Sequence, residues 1–107
     1  MQITFNNKKI AKLCNSKNEA IKKIGSNYAN DLIRVLNELH SASKLDDIHF
    51  GNPHPLKGDK LGQFAITIKA RVRIVFKASE PIPKNNDETI DWKNVTKINI
   101  IFIGDYH

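Results

Sequence analysis

A single cysteine, Cys14, rules out an internal disulfide and a multi-cysteine zinc knuckle, and reads as a reduced packing residue. No apolar stretch approaches the roughly 20 residues a membrane span needs. The opening MQITFNNKKIAK has no apolar segment of the signal-peptide kind, so the expected setting is the cytoplasm, with no membrane partner. Arginine is scarce: three residues, two of them Arg71 and Arg73. Acids are outnumbered, 11 against 17 lysines and arginines, leaving a net charge of +6 that attracts polyanions through its summed field. With 107 residues, 40% of them hydrophobic, the chain suits one domain spanning 1–107 and leaves no room for a cleft between two.

The pattern along the chain predicts an α+β fold. QITF reads as a short N-terminal strand. NNKKIAKLCNSKNEAIKKIG then reads as one interrupted helix or two short ones, with Asn6 or Asn7 as first cap, Ser16 and Glu19 at capping-box spacing, and Gly25 as a stop. Ser26 is expected to cap a further helix that carries Tyr28, Leu32, Val35, Leu36 and Leu39 on one face. Those faces need a sheet to cover. SKLDDIHFGNPHPLKGDKLGQ, broken by glycines and prolines, reads as an irregular connection over the surface.

In QFAITIKARVRIVFKA apolar residues alternate with polar ones, predicting a hairpin with Phe64 opposite Phe76, Ile66 opposite Ile74, Ile68 opposite Val72 and Thr67 opposite Arg73. The turn then centres on Ala70, which calls for an odd-numbered loop or a bulge. A polar loop from Ser79 to Lys93, tacked down by Ile90 and Trp92, leads to a last strand in VTKINIIFIG. There Ile98, Ile100 and Phe102 are expected to face the core, with Lys97 and Asn99 on the side of Arg73. Helices thus pack on one face of a small antiparallel sheet, and the other face is partly polar and basic.

Six basic residues fall between Lys57 and Lys77: Lys57, Lys60, Lys69, Arg71, Arg73 and Lys77. Near them the fold is expected to gather His54, from the irregular segment, and Asp105, Tyr106 and His107, from the end of the last strand. RNA carries its own nucleophile, the 2′-hydroxyl beside the scissile phosphate. Cleaving it takes a base for that proton, an acid for the leaving oxygen and cations to steady the phosphate charge. His54 and His107 are the natural proton carriers as imidazoles, Asp105 is a second base or an orienting carboxylate, Lys57 and Arg73 suit phosphate, and Tyr106 donates a hydrogen bond or stacks. Lys60, Lys69, Arg71 and Lys97 are expected to add RNA contacts. A zinc set from His49, His54, Asp105 and His107 lacks close ligand spacing, so no zinc site is expected.

HPLKGDKLGQFAITIKARVRIVF, from His54 to Phe76, together with the terminal DYH, resembles the HigB branch of the RelE-type bacterial toxins, the plasmid maintenance killer proteins. LNELHSASKLDDI resembles that family's second helix and its exit, and the likeness is thinnest over the first 25 residues. It implies a RelE-like fold and a ribosome-dependent endoribonuclease that cuts messenger RNA in the decoding site against ribosomal RNA, with no metal or organic cofactor. It also implies restraint by a cognate helix-turn-helix antitoxin, and catalytic or RNA-binding roles for His54, Lys57, Arg73, Asp105, Tyr106 and His107. The chain departs from the family pattern where tryptophan often replaces Phe64 and Val72, and where Asn or Asp commonly stands at Arg71. Two alternatives stay open: a basic RNA-binding module of the same fold without turnover, and a DNA-binding regulator, which would have to read duplex with its sheet because no helix has a recognition-helix pattern.

Overall fold

The computed structural model describes residues 1–105, so the expectations placed on Tyr106 and His107 lie outside the described residues. The chain opens with strand β1 (Gln2–Phe5), followed by helices α1 (Lys8–Asn15), α2 (Lys17–Ile24) and α3 (Ser26–Ser41). A two-residue strand β2 (His54–Pro55), the hairpin β3 (Gln63–Lys69) and β4 (Val72–Ala78), and β5 (Lys97–Asp105) complete it. The sheet order is β1-β5-β4-β3-β2; β1 runs parallel to β5 and the other neighbours are antiparallel. This is the expected α+β architecture, with a parallel edge strand and a short further strand that the irregular segment had concealed.

Local chemistry explains the helices. The Asn7 side chain accepts from Ile10 N at 2.9 Å, and the Ser16 hydroxyl accepts from Glu19 N at 3.3 Å, so two short helices form, each with its own cap. Gly25, at φ +84°, ends α2 and also caps α3, so Ser26 is the first residue inside α3 and not its cap. On α3, Leu32, Val35, Leu36 and Leu39 are buried as their spacing requires. They meet Phe64, Ile66, Ile74, Phe76, Ile98 and Ile100 on one sheet face.

Cys14 is largely enclosed beside that core, and burial pushes its thiol up to about 12. The folded protein therefore keeps the thiol protonated through the range, from about pH 9 upward, where an exposed thiol ionises. Stability should fall as pH rises from there, because the unfolded chain releases that proton first. At pH 8 a disulfide reagent such as DTNB is expected to label Cys14 slowly until urea unfolds the chain; prompt labelling of folded protein would contradict this.

Two β-bulges shape the sheet. One falls between Thr67 and Lys69, so Val72 pairs with Lys69 and not with Ile68, and Ala70 sits at φ +50° in a two-residue turn. The other falls on β5, where Val75 pairs with Phe102 but Phe76 pairs with Ile100. The extra residue, Ile101, shifts the alternation by one. Phe102 consequently leaves the core face, at 39% exposure, and Ile101 packs against a small second cluster of Leu56, Ala65 and Val75 on the far face.

Gly51 holds the segment before β2 against β3. Its carbonyl accepts from Thr67 N at 2.7 Å, its φ is +71°, and an added Cβ would lie 2.4 Å from Thr67 O and 2.7 Å from the Ile66 side chain. Gly51→Val combines left-handed backbone strain with a backbone clash, and is expected to cost about 3 kcal/mol or more in urea unfolding. A variant as stable as the parent would show that the approach relaxes freely.

Candidate RNA-contacting site

The face of the sheet away from the helices carries the candidate site. His54, Ala65, Val75 and Phe102 are successive partners across β2, β3, β4 and β5, so they form one row on that face. The next row is Thr67, Arg73 and Gly104. His54 and Arg73 thus stand two strands apart and one row apart, about 10 Å across and about 7 Å along the sheet at ordinary strand spacings. A phosphodiester fits between side chains reaching toward each other over that span.

His54 is half-buried and its Nδ1 lies 2.7 Å from the carbonyl oxygen of Asn52. A carbonyl can only accept, so Nδ1 carries the proton and donates, which turns the lone pair of Nε2 outward. The structure therefore supplies an imidazole in a fixed tautomer. Arg73 is half-buried, with its Nε closed off from solvent and its position set by pairing on both sides. Gly104, opposite Arg73, contributes no side chain. A Cβ there would come 3.2 Å from the ring of Phe102, so the glycine keeps the floor beside the guanidinium open and the ring in place.

The other expected residues divide. Lys57 and Lys60 lie just past β2, Lys57 exposed at the start of a short 3-10 turn (Gly58–Lys60) and Lys60 within it. Both are on the His54 side of the face. Asp105 pairs with Val72 at the end of β5, and its carboxylate meets Arg71 at 3.8 Å with both groups well exposed. Lys69, displaced by the hairpin bulge, reaches back toward the helices and meets Asp31 of α3 at 3.8 Å. Lys97 shares the face but sits at the other end of β5 from Gly104, roughly 24 Å away at about 3.4 Å per residue. Among the described residues no three His, Cys, Asp or Glu side chains gather as a metal cage would require.

Two features escaped the sequence reading. Phe102 joins the His54 row as an exposed aromatic, the kind of platform on which a base stacks; the apolar run IIFI hides the bulge that puts it there. Charge is also distributed unexpectedly. Residues 8–23 hold six lysines, Lys8, Lys9, Lys12, Lys17, Lys22 and Lys23, against Glu19 alone, a surplus of five out of the chain's net +6. α1 and α2 thus carry as large a basic surplus as the segment from Lys57 to Lys77, in fewer residues. In the loop before β5, Thr89 donates to Asp87 from its hydroxyl and its backbone, holding that exposed carboxyl below the usual range.

No protein-family model matches the chain, and no curated protein matches it by sequence. Solved structures match by shape. A YoeB/ParE toxin from Agrobacterium tumefaciens superposes with a TM-score of 0.61 at 15% identity, covering 100% of both chains. A chain of a YoeB-YefM complex from Staphylococcus aureus gives 0.60 at 16% identity, covering 100% of this chain and 97% of that one. A YoeB dimer from the same organism gives 0.59 at 16% identity with the same coverage. The fold is that of the YoeB and RelE-like toxins.

Proposed function

We propose that the protein is the toxin of a toxin-antitoxin pair, an endoribonuclease of the HigB branch that cuts messenger RNA on the ribosome. The observation that carries the reading is the convergence of His54, in a fixed tautomer, and Arg73 on adjacent rows of one sheet face, although they are distant in sequence. His54 Nε2 takes the proton of the 2′-hydroxyl, whose oxygen attacks phosphorus. The 5′-oxygen departs with a proton supplied by His107 as the acid, leaving a cyclic 2′,3′-phosphate and a 5′-hydroxyl end. Arg73, with Lys57 beside the row, steadies the charge on the phosphate oxygens. Phe102 stacks a base, and Asp105 orients or relays protons through the terminal Tyr106 and His107.

The fold likeness supports a toxin of this class, and a protein of similar fold has been solved in a heterotetrameric YoeB-YefM toxin-antitoxin complex from Staphylococcus aureus. The HPLKGD and DYH resemblance supports the HigB assignment, the ribosomal setting and a helix-turn-helix antitoxin. Among the described residues no helix is long and apolar enough to cross a membrane, which accords with action in the cytoplasm.

The test is inducible expression in bacteria with and without the neighbouring open reading frame, followed by mapping of transcript ends. Growth arrest relieved by the neighbour, with new 5′-hydroxyl ends inside translated reading frames, is the expected result. Tight RNA binding without new ends would favour the module that has the fold but no turnover.

A further inference from the structure

β1 accompanies β5 only over its first half. The pairing runs from Gln2 with Lys97 to Phe5 with Ile100 and closes with Asn6 N donating to Ile100 O at 2.9 Å. The chain then turns into α1. Past Ile100, no strand among the described residues runs beside β5 on that side. Lys97 turns its carbonyl toward β4, accepting from Ser79 N, and past the bulge Phe102 and Gly104 pair with β4 residues in their turn. By the same alternation Ile103 directs its N–H and C=O into the vacated lane. Such an edge is a template for an added strand.

The lane is also a groove. A hollow of about 280 Å³ lies along it, floored by Ile10 and Leu13 of α1 and by Ile101, Phe102 and Ile103, and rimmed by Lys9 and Lys23. Past Lys9, Leu13 and Lys23 it continues into a second hollow of about 180 Å³ that Lys12 and a single acid, Glu19, also line, so cations prevail there by three to one. Backbone edge, apolar floor and cationic rim meet in one place. We propose that this groove binds an extended acidic peptide of a partner protein, which adds to β5 in the lane β1 vacates, lays apolar side chains over Ile10 and Leu13, and sets carboxylates against Lys9, Lys12 and Lys23.

Charge decides among occupants. A second copy of this chain would bring its own +6 against the lysines of α1 and α2. RNA would satisfy the lysines but would leave the apolar floor and the strand edge unused. Phe102 lines the groove as well as the His54 row, but His54 and Arg73 do not line it, and binding there is read without any cleavage, so the proposal is tested separately from the nuclease reading.

The experiment uses fluorescence anisotropy on the full chain with a labelled probe: a Val-Thr-Ile-Thr-Val centre flanked at each end by two glutamates. Saturable binding, weakened at least about tenfold when lysines replace the glutamates and by a similar factor in the Lys9→Glu/Lys23→Glu protein, is expected. Backbone N-methylation of the probe along one edge should abolish binding by wild-type protein, whereas methylation along the opposite edge should leave it intact. The proposal is overturned if both methylated probes bind alike, if the lysine probe binds as well as the acidic one, if no binding is seen, or if a short uridine RNA displaces the probe from wild type but not from the double variant.

Discussion

Arg73→Ala is expected to lower RNA cleavage by about 100- to 1,000-fold, the usual loss when one preorganised donor to a developing oxyanion is removed. The guanidinium is placed by a strand paired on both sides, with Thr67 on β3 and Gly104 on β5, so its position does not depend on substrate to organise it. Arg73→Lys keeps the charge but loses the planar fork, and should fall between the parent and the alanine variant. Two controls separate a local role from general attraction of a polyanion. Lys97→Ala removes one charge from the same face roughly 24 Å away. Arg71→Ala removes one two residues along, where the side chain meets Asp105. Neither should approach the effect of Arg73→Ala on cleavage. RNA affinity should lose only about one unit of salt slope in any single variant, since each deletes at most one phosphate contact. Cleavage by Arg73→Ala at the parent's rate would remove the basis of the proposed chemistry.

How much of this was legible in the sequence depends on whether parity survives. From Gln63 to Lys77 apolar and polar residues alternate, and the pairs Phe64 with Phe76, Ile66 with Ile74 and Thr67 with Arg73 follow from period two alone. Where successive residues are all apolar, as from Ile100 to Ile103, a bulge leaves no trace in the pattern. Alternation therefore predicts a core-facing Phe102, whereas the bulge puts its ring on the opposite face. The hairpin bulge had the same effect at Lys69, which turns to Asp31 on α3 instead of joining Arg73. β2 was lost for another reason: two residues bracketed by Gly51, Pro53, Pro55 and Gly58 carry no periodicity, and only the sheet edge they pair with makes them a strand. Gly51, which looked like loop punctuation, is fixed by its approach to Thr67. The lysines of residues 8–23 stand plainly in the sequence, but no histidine or carboxylate pair beside them points to chemistry.

Phe76→Ala is the substitution expected to destabilise the fold most. Its ring is fully buried, on the face of β4 opposite to Arg73. It stacks on Phe64 with centroids 5.4 Å apart and planes 25° apart, and meets the edge of Trp92 at 6.5 Å; Trp92 in turn lies 4.8 Å from Phe64. These three rings join the hairpin to the returning loop before β5, so truncating one opens a cavity at a junction of three segments. A loss of about 3 to 5 kcal/mol is expected, against a total near 5 to 15 kcal/mol for a domain of this kind. The melting temperature should drop by about 15 °C or more. Trp92 is the only tryptophan, so its fluorescence reports on this cluster directly. Phe76→Leu keeps most of the volume and should lose far less. Below its melting point the alanine variant should cleave RNA at nearly the parent's rate per folded molecule, because the ring and the guanidinium occupy opposite faces of the same strand. A loss under about 1 kcal/mol would mean that the loop closes over the gap, and that the aromatic cluster does not tie the hairpin to it.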